Sequence, residues 1–200
     1  GRSGSGRGTG RRAGRAVTAQ LVLPFAAPAP AGFGSYVADV NAEVVATLQA
    51  QAAGGRDRLW ISGPADSGRT HLLLATAAAA DAAGRRVAYV PCAELPPAAG
   101  DPAEMLEALE QCDVVLVDDV DRWAGDGTAE RALFDLYNRV EAAGRLLVLT
   151  ARAPPDGAGI DLADLRSRGN ACLRYRIRPL DASGLTAVLR RRARDQGLEL

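Results

Sequence analysis

Eight consecutive residues, Gly63-Pro64-Ala65-Asp66-Ser67-Gly68-Arg69-Thr70, have the spacing of a phosphate-binding loop: Gly, four residues, Gly, a base and a hydroxyl. Such a loop turns backbone N–H groups toward an anion and adds the positive end of the helix that follows. Gly68 lets the main chain approach the anion, and Thr70 offers a hydroxyl to Mg²⁺. Arg69 stands where a lysine normally reaches the β- and γ-phosphates. A planar guanidinium keeps the charge but cannot fill the compact site of an ammonium, so phosphate binding is expected to survive better than hydrolysis. The alternative is a Gly-rich turn that holds nothing. His71, inside the helix that follows, closes the candidate nucleotide-binding stretch Gly63–His71 and reads as a structural residue rather than a catalytic base.

Two further groups of residues carry chemistry. Val114–Val117 is an apolar run that ends in Asp118 and Asp119, where Asp118 can hold Mg²⁺ and Asp119 can orient an attacking water. The same two acids also suit a plain helix cap. Upstream, Gln20-Leu21-Val22-Leu23-Pro24-Phe25 offers one polar hook followed by apolar side chains, the pattern of a short extended peptide that docks in a partner's groove. It also fits a strand packed on the core.

The elements that must position these residues alternate along the chain. Val40, Val44, Val45 and Leu48 give Tyr36–Ala53 a helical period, closed by Gly54 and Gly55. Leu59-Trp60-Ile61 is a short strand leading into the loop, and a helix is predicted over Ser67–Ala83. Val87–Val90 is the next strand, and Pro102 opens a helix bearing Met105, Leu106 and Leu109. Val114–Val117 is a strand, and Thr128–Ala143 a helix with Leu133, Leu136, Tyr137 and Val140 on one face. Leu146–Leu149 and a weaker Leu173–Ile177, with arginines alternating outward, complete the strands; Ser183–Gln196 is a last helix. This alternation predicts an α/β domain with a mostly parallel sheet covered by helices on both faces, its ligand at the carboxyl ends of the strands.

Composition narrows the function. The 24 basic and 24 acidic residues cancel, but residues 1–20 hold Arg2, Arg7, Arg11, Arg12 and Arg15 and no acid. The body is therefore mildly acidic and has no overall nucleic-acid footprint. The Gly/Arg-rich leader, 1–19, has little to bury and is expected to be disordered; it lacks an initiator Met and reads as a solvated or added tail rather than a working arm. Arg11, Arg12, Arg15 and the stretch Ala16–Ala31 imitate a secretory signal, but Thr18, Gln20, Pro24, Pro28 and Pro30 interrupt its apolar core. No run of about 18 apolar residues suggests a membrane span. Cys92, Cys112 and Cys172 are odd in number and widely spaced, which argues against a disulfide framework or zinc site and fits a reducing cytoplasm. Trp60 and Trp123 read as packing residues.

In order, these motifs resemble the DnaA-related branch of AAA+ ATPases over residues 20–200. The loop Gly63–Thr70 and the pair Asp118-Asp119 are similar to its two Walker motifs. Phe134-Asp135-Leu136-Tyr137-Asn138-Arg139 is similar to its segment after the second of these, and Leu165-Arg166-Ser167-Arg168 to its arginine-finger segment. Gln20, Leu21, Leu23, Pro24 and Phe25 resemble the sliding-clamp-binding peptide of regulators in that branch, a peptide the initiator lacks. The resemblance implies a P-loop domain over 36–200, joined by a linker (26–35) to the clamp peptide (20–25). It implies ADP or ATP with Mg²⁺ as cofactors, and as partners the DNA polymerase sliding clamp and the initiator DnaA, with DNA reached only through the clamp. Arg168 would then act on ATP bound to DnaA, where an arginine against the transferring phosphoryl is worth about 10³–10⁵ in rate. Asp161 and Asp164 offer Arg168 a surface salt bridge as the alternative. The rival to this adaptor is an autonomous ATPase of the initiator or helicase-loader type; a scaffold with a purely structural role is a third reading. Four features depart from the branch. Arg69 replaces lysine, Arg152 follows Ala151 where a sensor aspartate is usual, and Gly169-Asn170-Ala171-Cys172 replaces an aromatic stretch. The chain also stops at Leu200, where the branch continues into a helical lid, so either the sequence is a fragment or the pocket is left half open.

Overall fold

The computed structural model describes residues 32–36, 39–179, 184, 186 and 190. Five parallel strands, β1 (Arg58–Ser62), β2 (Val87–Pro91), β3 (Val114–Asp118), β4 (Leu146–Ala151) and β5 (Leu173–Arg176), form one sheet in the order β2-β3-β4-β1-β5. Around it lie the α-helices α1 (Ala42–Gly54), α2 (Arg69–Ala82), α3 (Pro102–Glu107), α4 (Gly127–Ala142) and α5 (Ala163–Ala171). The central strands β3 and β4 are buried along their whole length, which is why they read as continuous apolar runs.

Side chains alternate across each strand and so feed two cores. Leu59, Ile61, Val114, Leu116, Leu146 and Val148 pack against Val44, Val45 and Leu48 of α1 and Leu72 and Leu73 of α2. Trp60, Val115, Val117, Leu147 and Leu149 point the other way, to Leu133, Leu136, Tyr137 and Val140 of α4 and Leu165 of α5. Trp60 and Trp123 are both buried and spend their indole N–H on the carbonyls of Ala153 (3.1 Å) and Leu95 (2.7 Å), as packing residues should.

The helix ends follow the local chemistry. Asp126 accepts from the amides of Thr128 and Ala129 at the start of α4, and Asp101 from Ala103 ahead of Pro102 in α3. The guanidinium of Arg85 donates to the carbonyls of Gln51, Ala52 and Gly55, closing the C-terminus of α1, and to Asp113 O beside β3.

Four expectations change. Val40 is 55% exposed and joins no core; it lies in a 3₁₀ turn, Asp39–Asn41, ahead of α1. The predicted linker ends too late, since Phe33 packs on the core and Ser35 meets α2. Helix α5 has no predicted counterpart. It buries only Leu165 and Gly169, and a Cβ on Gly169 would lie 3.0 Å from Pro155 and 3.2 Å from Trp60. A helix that packs through bare backbone leaves no apolar period to read. The helix Ser67–Ala83 starts two residues later, after Gly68 in the left-handed region (φ 92°). The peptide Gln20–Phe25 and most of the helix predicted over Ser183–Gln196 lie outside the described residues; Gly184, Thr186 and Arg190 within that helix are helical.

Candidate functional site

β1 delivers Gly63 to the carboxyl edge of the sheet, and α2 begins where the loop ends. Pro64, Ala65 and Asp66 form the exposed tip, with Asp66 at φ 59°. Two glycines are required by close approach: a Cβ on Gly63 would lie 2.7 Å from Ser67 Oγ, and one on Gly68 would lie 2.8 Å from the ring of Tyr36. Ser67 Oγ is buried with no hydrogen-bond partner. An orphaned hydroxyl in a glycine-bounded loop at a helix N-terminus is the donor set an anion would satisfy.

Arg69 is 8% exposed and folds back across this loop. Its Nη1 donates to the carbonyls of Gly63 and Pro64, and its Nη2 to Asp119 Oδ1 at 2.5 Å. All 24 basic residues of the chain are arginine; here the planar fork spans three acceptors, which a single ammonium on a shorter head would not. Asp119 reaches it from a left-handed backbone (φ 54°) and makes no side-chain cap to the turn Val120–Arg122, so the helix-cap alternative does not apply.

Asp118 is 4% exposed and accepts from three hydroxyls. Thr70 Oγ1 (2.7 Å) and Tyr89 OH (2.9 Å) donate to its Oδ2, and Thr150 Oγ1 to its Oδ1. Strand β4 lies between β1 and β3, so Thr150 fills the gap that separates the loop from the acids. Thr150 also accepts from the Asp119 amide at 2.9 Å. Burial, and then the Asp118 charge, push the Tyr89 phenol up, and burial does the same to the Cys92 thiol close by. Thr70 and Asp118 are the pair that would hold a divalent cation, and the loop amides with Ser67 Oγ would hold the phosphates. The cation would offset phosphate charge.

His71 turns away from the loop toward Ser35 Oγ (3.2 Å) and Gly32 O (3.3 Å), and its ring lies 5.6 Å from that of Tyr36. Asn41, 3% exposed, binds Arg178 through both halves of its amide, at 3.0 Å each, and donates to Tyr36 OH. Tyr36, Asn41, Tyr89 and Thr150 are the site residues that sequence reading missed. Only Thr150 left a signal, a hydroxyl at the end of an apolar run. Arg152 is held by Asp121 (2.5 Å) and, with Arg176, Arg178, Gly63 and Pro64, lines an open cavity of about 630 Å³ beside the loop.

Arg168 lies elsewhere. Its Nη1 is 3.2 Å from Glu141 Oε2, and Glu141 Oε1 is 3.3 Å from Nη2 of Arg58, the first residue of β1. The phosphate loop follows the last residue of that strand, about 13 Å further on. Asp161 and Asp164 are not its partners, so the surface salt bridge exists but with a carboxylate from α4.

A phosphate loop and an acid-ended strand, set across one intervening strand of a parallel sheet, define a P-loop nucleoside-triphosphatase domain of the AAA+ kind. The chain belongs to the family described as the bacterial DnaA ATPase domain, whose model matches residues 32–175. It superposes on domain III of the Thermotoga maritima replication initiation protein DnaA with a TM-score of 0.75 at 20% identity, covering 86% of this chain and 77% of that one. For AMPPCP-bound DnaA from Aquifex aeolicus the TM-score is 0.73 at 21% identity, covering 86% and 57%. The DnaC helicase loader gives 0.57 at 15%, covering 74% and 97%. These likenesses carry the fold. The chain spans little more than half the length of the solved replication initiation factor and AMPPCP-bound DnaA chains that it matches. Among the described residues no helix is long and apolar enough to cross a membrane, no cluster of metal-ligating side chains occurs outside this site, and all three cysteines are free.

Proposed function

We propose that this chain is a regulatory adaptor of replication initiation of the Hda kind, which binds a nucleotide, docks on the sliding clamp and stimulates hydrolysis of ATP held by DnaA. One observation carries the reading: Arg168 sits at the amino end of the sheet, with the chain's own phosphate loop at the carboxyl end. A nucleotide served by Arg168 therefore belongs to another molecule. The chain's own site binds ADP or ATP, with Mg²⁺ at Thr70 and Asp118, and turns over slowly because Arg69 and Asp119 neutralise one another. In DnaA the guanidinium of Arg168 would face the charge that builds on the transferring phosphoryl group. Gln20, Leu21, Leu23, Pro24 and Phe25 tether the domain to the clamp, so DNA is met only indirectly.

A second reading, an autonomous ATPase of the initiator or helicase-loader type, is favoured by the Thr70–Asp118 contact, which is intact. Three measurements separate the two. They are clamp capture by the native chain and by Gln20→Ala and Phe25→Ala variants, ATP turnover by the chain alone, and turnover of DnaA-bound ATP with clamp on DNA. The adaptor reading expects capture lost in both variants, slow turnover alone and fast turnover in the complete mixture. Brisk turnover alone with no response to clamp refutes it.

A further inference from the structure

We propose that Glu141 is a positioning residue for Arg168, holding the guanidinium in the orientation it needs to meet a nucleotide on a partner; this rests on the reading that Arg168 acts in trans. Tyr137 and Glu141 are one turn apart on α4 and share a face. Tyr137, 1% exposed, supplies a fixed aromatic surface, and the Arg168 guanidinium lies over it with its carbon 5.4 Å from the ring centroid. Glu141 then divides its carboxylate, Oε1 to Arg58 at the start of β1 and Oε2 to Arg168. The arginine is thereby linked, through the shared carboxylate, to the first residue of β1.

The base of Arg168 is equally constrained. Glu130, 1% exposed, accepts from the amides of Gly125 (2.8 Å), Asp161 (3.0 Å) and Leu162 (2.6 Å), which fixes the chain where α5 begins. At the other end, Gly169 packs directly against Pro155 and Trp60, and the Cys172 thiol donates to Arg168 O at 3.4 Å.

The Arg168–Glu141 pair orients without locking. The two side chains are 40% and 34% exposed, and an ion pair that open to water is too weak to hold a guanidinium away from a phosphate. Among the described residues Glu141 is the only side chain that accepts a hydrogen bond from Arg168, which leaves most of its five N–H donors for an incoming anion. A long side chain already stacked and paired loses less freedom on engagement than a free one.

The test is hydrolysis of DnaA-bound ATP, with clamp loaded on DNA, by the full chain and by Arg168→Ala, Glu141→Gln and the double variant. Glu141→Gln should lower the maximal rate about fivefold, the size of one exposed ion pair. Half-saturation, clamp capture and melting temperature should stay unchanged, and no loss should be added to Arg168→Ala. Glu141→Asp should recover part of the rate. Independently, the ¹⁵Nε order parameter of Arg168 should fall in Glu141→Gln. If Arg168→Ala is inactive while Glu141→Gln equals or exceeds the native rate, Glu141 is a bystander or a lock and the proposal is overturned alone. If Arg168→Ala keeps the full rate, the trans reading fails and takes the proposal with it.

Discussion

Replacing Asp119 by Asn removes the charge facing Arg69 while keeping the shape of the side chain, and two consequences of opposite sign follow. The guanidinium, 8% exposed, loses a carboxylate 2.5 Å away. Breaking a fully buried pair from one side costs about 3–5 kcal/mol. Here Asp119 is 22% exposed, and Arg69 keeps the carbonyls of Gly63 and Pro64, so a loss of about 1–2 kcal/mol is expected. For a chain of this length the melting temperature should drop by roughly 2–8 °C. Nucleotide binding should move the other way. A unit charge taken at about 6 Å in an effective dielectric of about 20 is worth roughly 3 kcal/mol. Solvent at a partly open site leaves on the order of 1 kcal/mol, so binding should tighten about fivefold. Calorimetric titration with ADP, beside thermal melts of the same preparations, reads both effects. If affinity weakens in step with stability, the Arg69–Asp119 pair shapes the loop for the anion rather than competing with it, and mutual neutralisation is not the cause of slow turnover.

Other consequences are open to measurement. Thr70→Val deletes the hydroxyl that donates to Asp118; it should weaken Mg²⁺-dependent nucleotide binding by about 1–2 kcal/mol and leave binding in chelator nearly unchanged, whereas equal losses in both would exclude a cation at this pair. Gly68→Ala puts a Cβ at positive φ and 2.8 Å from Tyr36, which should cost about 1–3 kcal/mol of stability and abolish nucleotide binding; a neutral result in melts and titration would show that the loop does not need this conformation. Stability should decline in alkali. Burial pushes the Cys172 thiol from 9.0 up to about 12, so its contribution is complete below about pH 9 and is lost as pH rises toward 12, by at most about 1.4 kcal/mol per pH unit. Cys172→Ala should flatten that slope in denaturant melts across this range, and an unchanged slope would remove the thiol as its cause.

The placement of the loop between a strand and a helix was legible because it depends on short spacing. Gly63, Gly68, Arg69 and Thr70 are neighbours in sequence, and the acids ending β3 follow an apolar run that only a buried strand explains. The four strands with strong apolar runs and the helices α1, α2 and α4 were legible for the same reason. Helix α5 was not, because its contact with Pro155 and Trp60 is made by a glycine. Nor was the partner of Arg168: the nearby acids Asp161 and Asp164 were the obvious candidates, and the carboxylate came from α4.

Local spacing along the chain thus determined the form of the loop and how strands and helices alternate, since hydrogen-bonding geometry and side-chain period act over a few residues. Tertiary structure decided how those residues are spent. Only the insertion of β4 between β1 and β3 brings Thr150 against Asp118 and sets Asp119 across from Arg69, and only the docking of α5 on α4 puts Arg168 over Tyr137. These contacts, between side chains 31 to 50 residues apart, are set by strand order and helix packing, which no short window of sequence contains.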